Sequence, residues 1–259
     1  MSIFSLDGKV ALVTGASGVI GGAVARAMYE NGATVVLNGR NTEKLNALKE
    51  NLTNGGGVQT SLSSQEAHTV ALSLMDVDAT KKLVKSATEL TGKNIDILVN
   101  VAGLHQLKVF GKISKDLLYN IMNINFTIPF ILCQEVMPAM VQNKFGRIIN
   151  FSSVAAHGAA GQAHYNSSKS AVEGLTCSLA SNENFVKNGV TINAIAPGII
   201  DSDMSKMIRG KAKERNLMMI PMERFGRPEE VAGAAVFLAS NAASYINGQI
   251  IRVDGGMVR

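Results

Sequence analysis

The sequence is poor in several residue types, and each scarcity excludes a class of protein. Its 259 residues include two cysteines and no tryptophan. A disulfide framework therefore has no support, and a reducing compartment is expected. Cys133 and Cys177 stand in apolar, helical-looking runs, and we interpret both as small core residues. The four histidines show no metal-ligand spacing with the cysteines or with each other, so we expect no catalytic metal.

Long apolar runs and clusters of like charge are also missing. No apolar run approaches the roughly 20 residues that span a bilayer, and no early segment resembles a cleaved leader. We therefore expect a cytoplasmic protein with no membrane partner. The net charge is +5 and the pI is about 9.2, but Lys and Arg are scattered along the chain. This scatter argues against nucleic acid and favours an anionic cofactor or an acidic carrier as the partner.

The sequence does contain a regular alternation of short β-branched apolar runs and longer amphipathic stretches. This alternation predicts one α/β domain over residues 1–259, a Rossmann fold whose doubly wound parallel sheet of about seven strands has helices on both faces. The predicted strands are Val10–Thr14, Thr34–Asn38, Ala71–Met75, Ile95–Val99, Gly146–Phe151, Val190–Ile195 and Gln249–Val253.

Two stretches break this alternation. Asn54–Thr69 is polar and weakly periodic, and we interpret it as a surface loop, with a functional lid as the alternative. The stretch from Ile199 to about Pro221 is rich in Met and basic residues. Flexible thioethers suit a lid over a fatty or variable ligand, and a helix packed on the core is the alternative.

A glycine-rich turn, Thr14–Gly21, directly follows the first strand and opens the first helix. Glycines in this place let the backbone approach a pyrophosphate, and the helix N-terminus supplies positive potential. The residues that we expect to contact a dinucleotide here are Gly15, Ser17, Gly18, Val19, Ile20 and Gly21.

The end of the second strand indicates which dinucleotide is used. An acidic residue there would bind both ribose hydroxyls and repel a 2′-phosphate. This chain has Asn38-Gly39-Arg40 instead. Because Arg40 can hold a phosphate with several donors, we expect NADPH/NADP+ rather than NADH, with a solvated loop arginine as the alternative.

Tyr165 and Lys169 are spaced one helical turn apart, so both side chains lie on the same face of a helix. The cation can lower the pKa of the phenol, which can then exchange a proton with a substrate oxygen. The pair follows the fifth strand, which ends in Ser152-Ser153. A hydroxyl, a phenol and a lysine thus converge at the carboxyl edge of the sheet, where open α/β folds bind ligands.

Together these motifs resemble the short-chain dehydrogenase/reductase family, from Leu6 to about Val258. The glycine turn departs from the family pattern Thr-Gly-x-x-x-Gly-x-Gly, because Gly18 is displaced by one position. Asn100-Val101-Ala102-Gly103 resembles the family's Asn-Asn-Ala-Gly, with Val101 replacing the second asparagine. Other matching segments are Arg224–Ala232 and Asn247–Gly256.

The resemblance implies that Tyr165, Lys169, a serine and Asn125 are catalytic, with Asn125 holding a water in a proton relay. Strand register favours Ser153 as the serine, whereas the usual family spacing to the tyrosine favours Ser152. Besides Tyr165 and Lys169, the implied cofactor contacts at strand ends are Asp76, Val77, Asn100, Ala102, Gly103, Pro197, Gly198, Ile200 and Ser202. Asp76 could equally be a helix N-cap.

Within the family the chain most resembles 3-oxoacyl-[acyl-carrier-protein] reductases of fatty-acid synthesis. This resemblance implies a 3-oxoacyl thioester substrate on an acyl carrier protein, which Lys144, Arg147 and Lys187 could steer, although Arg147 could instead be structural. It also implies a homotetramer built from the helices around Ser114–Met137 and Tyr165–Phe185 and from the C-terminal strand. The alternatives are a dehydrogenase for a sugar, polyol, steroid or acyl-CoA, and a non-catalytic nucleotide sensor. His164 is expected to line the pocket.

Overall fold

A single parallel sheet runs through the chain, whose computed structural model describes residues 2–54, 65–202, 205 and 210–258. Its strands are β1 Val10–Thr14, β2 Thr34–Gly39, β3 Ala67–Ala71, β4 Ile97–Asn100, β5 Gly146–Phe151, β6 Val190–Pro197 and β7 Ile250–Val253. The central strands β1, β4, β5 and β6 are buried along their whole length. Both sheet faces are covered there, which explains why these strands consist largely of apolar residues.

The strands lie in the order β3-β2-β1-β4-β5-β6-β7, and every neighbouring pair is parallel. The chain starts at β1, winds outward to β3, and then returns to the other side of β1 as β4. The strand order therefore reverses between β1 and β4. In open α/β sheets the crevice at the carboxyl ends of such strands is the place where ligands bind.

Helices cover both faces of the sheet, which confirms the predicted doubly wound α/β fold. They are α1 Val19–Glu30, α2 Thr42–Asn54, α3 Val77–Thr91, α4 Lys115–Met122, α5 Ile128–Gln142, α6 Ala163–Ala180, α7 Glu183–Lys187, α8 Lys211–Met218 and α9 Pro228–Ala239. A π-helical segment, Asn123–Thr127, joins α4 to α5, and a 3-10 turn, Val154–His157, follows β5. One core cluster packs α1, α2 and α9 on one face, and another packs α3 and α5 on the opposite face.

The predicted position of the third strand is wrong. The structure places β3 at Ala67–Ala71 rather than Ala71–Met75. It is an edge strand, so polar residues are tolerated along it, and its sequence lacks the apolar pattern of a buried strand. The carboxamide of Asn38 fixes its position by donating to the carbonyl oxygens of Val70 and Leu72, both at 3.1 Å.

The predicted Asn54–Thr69 loop is consequently too long. Helix α2 continues through Asn54, and the first residues of β3 take up the other end of the segment. Residues 55–64 lie outside the described part of the chain. A lid function for this segment stays a prediction.

The described methionines of the Met-rich stretch after β6 are exposed. Met218 is 81% exposed, and Met219 and Met222 are also exposed. Residues 203, 204 and 206–209, which include Met204 and Met207, lie outside the described residues. The described part of α8 therefore favours a surface segment over a helix packed on the core.

Among the described helices, one is long and apolar enough to cross a membrane by length and composition alone. It is the continuous run Lys115–Gln142, formed by α4, the π segment and α5. The sequence analysis predicts no such run, because polar residues interrupt it. Within its most apolar window 44% of the residues are buried, and Leu132, Val136 and Met140 pack against the sheet. This packing is that of a core helix.

The two cysteines lie in different environments. Cys133 is buried as predicted, and burial raises the pKa of its thiol to about 12. Cys177 is exposed on α6, so its assignment to the core is wrong. Helix α6 is buried on one side only, and position 177 faces away from that side.

Candidate active site

The turn after β1 touches the turn after β4 at a distance that only glycine permits. Gly15 has a φ of +68°, and a Cβ at this position would lie 2.9 Å from Cα and N of Ala102. The Ala102 N–H donates to Thr14 Oγ1 at 3.1 Å. The backbone of residues 14–15 therefore packs directly against the backbone of residue 102, at the ends of β1 and β4. We call this contact the backbone floor.

Helix α1 begins beside this floor with uncapped N–H groups. Its N-cap, Gly18, offers no side chain, and the Gly18 N–H donates to Gly15 O at 2.9 Å. A Cβ at Gly21 would lie 2.2 Å from Gly15 O, so a glycine is needed where the helix packs on the turn. Ser17, Val19 and Ile20 complete the turn and the start of the helix. Free N–H groups at a helix start fit a pyrophosphate, so the turn keeps this capacity despite its displaced glycine.

The end of β2 lies next to the same turn. A Cβ at Gly39 would lie 2.6 Å from Ser17 Oγ, so the two segments are in contact. Arg40 follows Gly39, is exposed, and forms no ion pair with any residue that the structure describes. An unneutralised guanidinium beside the turn fits a ribose 2′-phosphate.

The end of β3 leads into helix α3 through Asp76 and Val77, two of the implied cofactor contacts. Asp76 is the N-cap of α3, and its carboxylate accepts from the N–H of Asp78 at 3.1 Å. Val77 is the first residue of the helix. The alternative N-cap role of Asp76 is therefore realised, and Asp76 is exposed.

The side chain of Asn100 points into the protein rather than toward the crevice. Its Nδ2 donates to Asn150 Oδ1 at 2.9 Å, and Asn150 Nδ2 donates to Thr176 Oγ1 at 3.0 Å. All three residues are buried. This chain of hydrogen bonds joins β4, β5 and α6, and it ties the sheet together although Val101 has replaced a polar residue. Because its side chain points into the protein, Asn100 could contact a cofactor only through its backbone.

Tyr165 and Ser153 come together as the sequence pattern indicates. Burial raises the pKa of the Tyr165 phenol, and a hydrogen bond with the Ser153 hydroxyl opposes this rise in part. The expected lowering of the tyrosine pKa by the lysine is therefore not what the structure gives, because desolvation dominates. At neutral pH the phenol carries its proton.

Lys169 lies deep behind the tyrosine on the same face of α6. It is 4% exposed, and its Nζ lies 5.8 Å from the centroid of the Tyr165 ring. The ammonium donates to Phe151 O at 2.6 Å. Burial lowers the pKa of Lys169 from 10.5 to about 8. Gly103 is beside it, since a Cβ there would lie 3.6 Å from Nζ.

Asn125 sits in the π-helical segment and holds the backbone that follows Gly103. Its Oδ1 accepts from the N–H of Leu104 at 2.7 Å, and its Nδ2 donates to Leu104 O at 3.0 Å. Nδ2 also donates to Ser168 Oγ at 2.9 Å. The whole carboxamide is thus engaged by protein, so a proton relay through Asn125 would have to use its backbone. π segments of this kind are frequent at functional sites.

The two candidate serines have separate surroundings. Ser152 is buried, and its hydroxyl donates to Glu173 Oε1 at 2.6 Å. Ser153 is the serine whose hydroxyl lies close enough to the Tyr165 phenol to lower the pKa of that phenol. The geometry favours the strand-register argument for Ser153 over the spacing argument for Ser152.

The segment after β6 closes the other side of the crevice. A Cβ at Gly198 would lie 2.8 Å from Asp254 Cα, and Pro197 is the last residue of β6. The Ile200 side chain is buried in the core, so only its backbone could meet a nicotinamide. Ser202 Oγ accepts from the N–H of Ser205 at 3.2 Å.

Two polar residues beside Tyr165 have no role in the sequence analysis. The rings of His105 and Tyr165 meet at 84° with centroids 4.6 Å apart, and His105 Nε2 lies 2.6 Å from Gln162 Oε1. The sequence gives no signal for His105, because it reaches the site across a contact distant in the chain. His164, the expected pocket residue, is buried, and neither ring nitrogen has a hydrogen-bond partner among the described residues.

Comparisons with known proteins agree with this geometry. The family model described as enoyl-(acyl carrier protein) reductase matches residues 15–258. The chain is 37% identical over 253 residues to the 3-oxoacyl-[acyl-carrier-protein] reductase FabG of Aquifex aeolicus (strain VF5), covering 97% of this chain and 98% of the relative. It is 38% identical over 256 residues to nodulation protein G of Rhizobium meliloti (strain 1021), covering 98% and 99%.

A solved structure extends the likeness to the whole fold. The gluconate 5-dehydrogenase of Burkholderia cenocepacia J2315, in complex with NADP and tartrate, superposes with a TM-score of 0.88 at 30% identity. The match covers 98% of this chain and 96% of that one. With the glycine turn, the Tyr165–Lys169 pair and the family match in agreement, the chain belongs to the short-chain dehydrogenases and reductases and is an oxidoreductase.

Proposed function

We propose that the chain reduces a 3-oxoacyl thioester, carried on an acyl carrier protein, to the 3-hydroxyacyl thioester in fatty-acid synthesis. The observation that carries the chemistry is the meeting of Ser153, a protonated Tyr165 and the buried Lys169 at the carboxyl edge of the sheet. The substrate is inferred from the relatives named as 3-oxoacyl-[acyl-carrier-protein] reductases, which span nearly the whole chain. Such a reductase would work in the cytoplasm.

The cofactor is NADP(H). Arg40 supplies an unpaired cation where a 2′-phosphate would lie, and the sequence Asn38-Gly39-Arg40 at the end of β2 contains no carboxylate that would repel this phosphate. The residues around Gly15, Gly18 and Gly21 leave backbone N–H groups for the pyrophosphate. NADPH, when bound, supplies the hydride.

The side chains of this protein supply the proton and hold the carbonyl. The Ser153 hydroxyl and the Tyr165 phenol both donate toward one substrate oxygen, which polarises the carbonyl and stabilises the negative charge that develops on it. Tyr165 then transfers its proton to that oxygen as general acid. Lys169, held on Phe151 O, places a cation behind the phenol and favours the phenolate that remains.

Steering of an acidic carrier depends on fewer cations than the sequence indicates. Arg147 is 3% exposed and donates to the carbonyl oxygens of Gly146 and Gly189, so it is structural. Lys187 is exposed but pairs with Glu183 at 2.6 Å. Of the three cations, Lys144 remains exposed and forms no ion pair with a described residue.

A second candidate is oxidation or reduction of a polyhydroxy acid. The observation that favours it is the polar pair His105 and Gln162 beside Tyr165. In the tautomer of His105 whose Nε2 donates to Gln162 Oε1, Nδ1 is an acceptor for a substrate hydroxyl. A 3-oxoacyl thioester has no such hydroxyl.

The test is a substrate comparison with purified protein. NADPH consumption is followed with a 3-oxoacyl carrier protein, with acetoacetyl-CoA and with 5-ketogluconate, and each assay is repeated with NADH and with Tyr165→Phe. Faster turnover of the carrier substrate, reduced about 10²-fold or more in Tyr165→Phe, supports the proposal. Turnover of 5-ketogluconate with inert thioesters would replace it with the second candidate.

A further inference from the structure

One face of helix α6 carries polar residues that form hydrogen bonds with the segment that contains Ser153. Asn166, Ser170 and Glu173 are spaced by four and three residues, so they share one face of the helix. Asn166 Nδ2 donates to Ala159 O at 2.9 Å, and Ser170 Oγ donates to Ala156 O at 2.5 Å. Residues 152–159, here called the Ser153 segment, are thereby fastened to α6.

Glu173 makes two of these attachments. It is 8% exposed, and each of its two oxygens has its own partner. Oε1 accepts from Ser152 Oγ at 2.6 Å, and Oε2 lies 3.0 Å from Nε2 of His157. Among the described residues no lysine or arginine pairs with this carboxylate. The hydrogen bonds of Ser152 and His157 therefore compensate for its burial.

These two partners stand on either side of Ser153. Ser152 precedes it, and His157 ends the 3-10 turn for which Ser153 is the N-cap. The Ser153 hydroxyl accepts from the N–H of Ala155 at 3.2 Å and lies close enough to the Tyr165 phenol to lower the pKa of that phenol. One carboxylate thus holds both ends of the short turn that presents the serine. Tyr165 lies on the same helix as that carboxylate.

We propose that Glu173 is a positioning residue that sets the Ser153 hydroxyl against the Tyr165 phenol. The proposal depends on the proposed function only in assigning Ser153 and Tyr165 to the reacting carbonyl. Two donors on one carboxylate define the position of the turn relative to α6, which a single hydrogen bond would not do. Misplacement of a positioned group by an ångström is enough to slow an enzyme substantially.

The test is a double-mutant cycle measured on the full-length protein. Glu173→Ala lowers kcat by about tenfold and leaves the Kd for NADPH unchanged, because the glycine turn is untouched. In a Ser153→Ala background, Glu173→Ala changes kcat by less than about twofold, since the group it positions is already absent. Glu173→Gln keeps an acceptor for Ser152 and a polar partner for His157, and it restores most of kcat. Glu183→Ala, which breaks an exposed pair on α7, is the matched control and has no effect.

A multiplicative loss in the double variant overturns the proposal, because it would mean that Glu173 acts independently of Ser153. An unchanged kcat in Glu173→Ala also overturns it. Should Glu173→Ala fail to fold, Ser152→Ala, which removes one of the two partners of the carboxylate, replaces it in the same cycle.

A second readout needs no substrate, so failure of the proposed function is distinguished from failure of this inference. The phenol carbon of tyrosine is labelled with carbon-13, and the Tyr165 resonance is assigned by its loss in Tyr165→Phe. Glu173→Ala shifts this resonance in the same direction as Ser153→Ala, because both weaken the hydrogen bond to the phenol. A Tyr165 resonance that moves in Ser153→Ala and stays in place in Glu173→Ala contradicts the positioning role.

Discussion

Arg40 is the residue on which cofactor preference depends. Its guanidinium is exposed, and no described acidic residue neutralises it. Arg40→Ala should weaken NADPH, lowering kcat/KM by about 10- to 100-fold, because a hydrogen-bonded charge pair contributes roughly 1.5–3 kcal/mol. NADH should be little affected. Steady-state kinetics with both cofactors measure this, and Arg26→Ala, an exposed arginine on α1, is the control. An equal loss for both cofactors would place Arg40 elsewhere than at the 2′-phosphate.

Lys169 should make the protein less stable at neutral pH than it would be without this charge. Its pKa falls from 10.5 to about 8 on folding, so the unfolded chain binds more protons between these values. Stability therefore rises as pH increases from about 8 to 10.5, and below 8 the penalty is fully present, on the order of 3 kcal/mol. Lys169→Met should raise Tm at pH 7 and lose that advantage toward pH 10.5. Calorimetry across this range measures it, and a pH-independent difference in Tm would refute the assignment.

At the scale of elements, the start of α1 has almost no tolerance for an added methyl group. A Cβ at Gly21 would lie 2.2 Å from Gly15 O, whereas a Cβ at Gly233 on α9 would meet nothing within 4 Å. Gly21→Ala should raise the Kd for NADPH by about tenfold or more and cost roughly 1–3 kcal/mol of stability. The matched Gly233→Ala should leave Kd unchanged and add about 0.5–1 kcal/mol. Calorimetric titration and urea unfolding measure both, and normal binding by Gly21→Ala would falsify the close packing.

The elements that the sequence predicts well are those whose own residues determine them. β1 and β5 match their predicted bounds, since each is buried along its length and has apolar residues at its centre. β3 does not, because its position depends on pairing at the sheet edge and on Asn38. The π segment around Asn125 has no local signature, since contacts with Leu104 and Ser168 stabilise it.

The residues of the candidate site also fall into two groups: those that local spacing predicts and those that only the folded structure brings to the site. Helical spacing was sufficient to place Tyr165 and Lys169 on one buried face of α6. His105 and Glu173 reach the site through partners in other elements, Gln162 and Ser152, so spacing alone could not identify them. The roles of His105 and Glu173, like the catalytic roles of the predicted residues, are proposals that the experiments described above test.

For the whole molecule, exposed apolar side chains on α4 and α5 bear on the predicted tetramer. Leu118, Tyr119 and Phe130 are exposed on the helices expected to form the interface. Replacing Tyr119 and Phe130 by Asp should convert the predicted tetramer into smaller species, because each charge would be buried at the predicted interface. Light scattering coupled to gel filtration measures the mass, and Leu90→Asp on α3 is the control. A mass unchanged from that of the original protein would exclude these helices from the interface.

The backbone floor formed by residues 14–15 and 102 separates the requirements for cofactor binding from those for substrate selection. In the proposed reaction the cofactor would rest on main-chain atoms whose positions are set by the sheet, whereas the carbonyl substrate would meet the side chains of His105 and Gln162 and the Met-rich segment. Substitutions of the side chains that would contact the substrate can therefore alter which carbonyl compound is accepted while the hydride donor stays in place. This division makes the chain a suitable starting point for directed evolution toward new alcohols, with residues 14–21 left untouched.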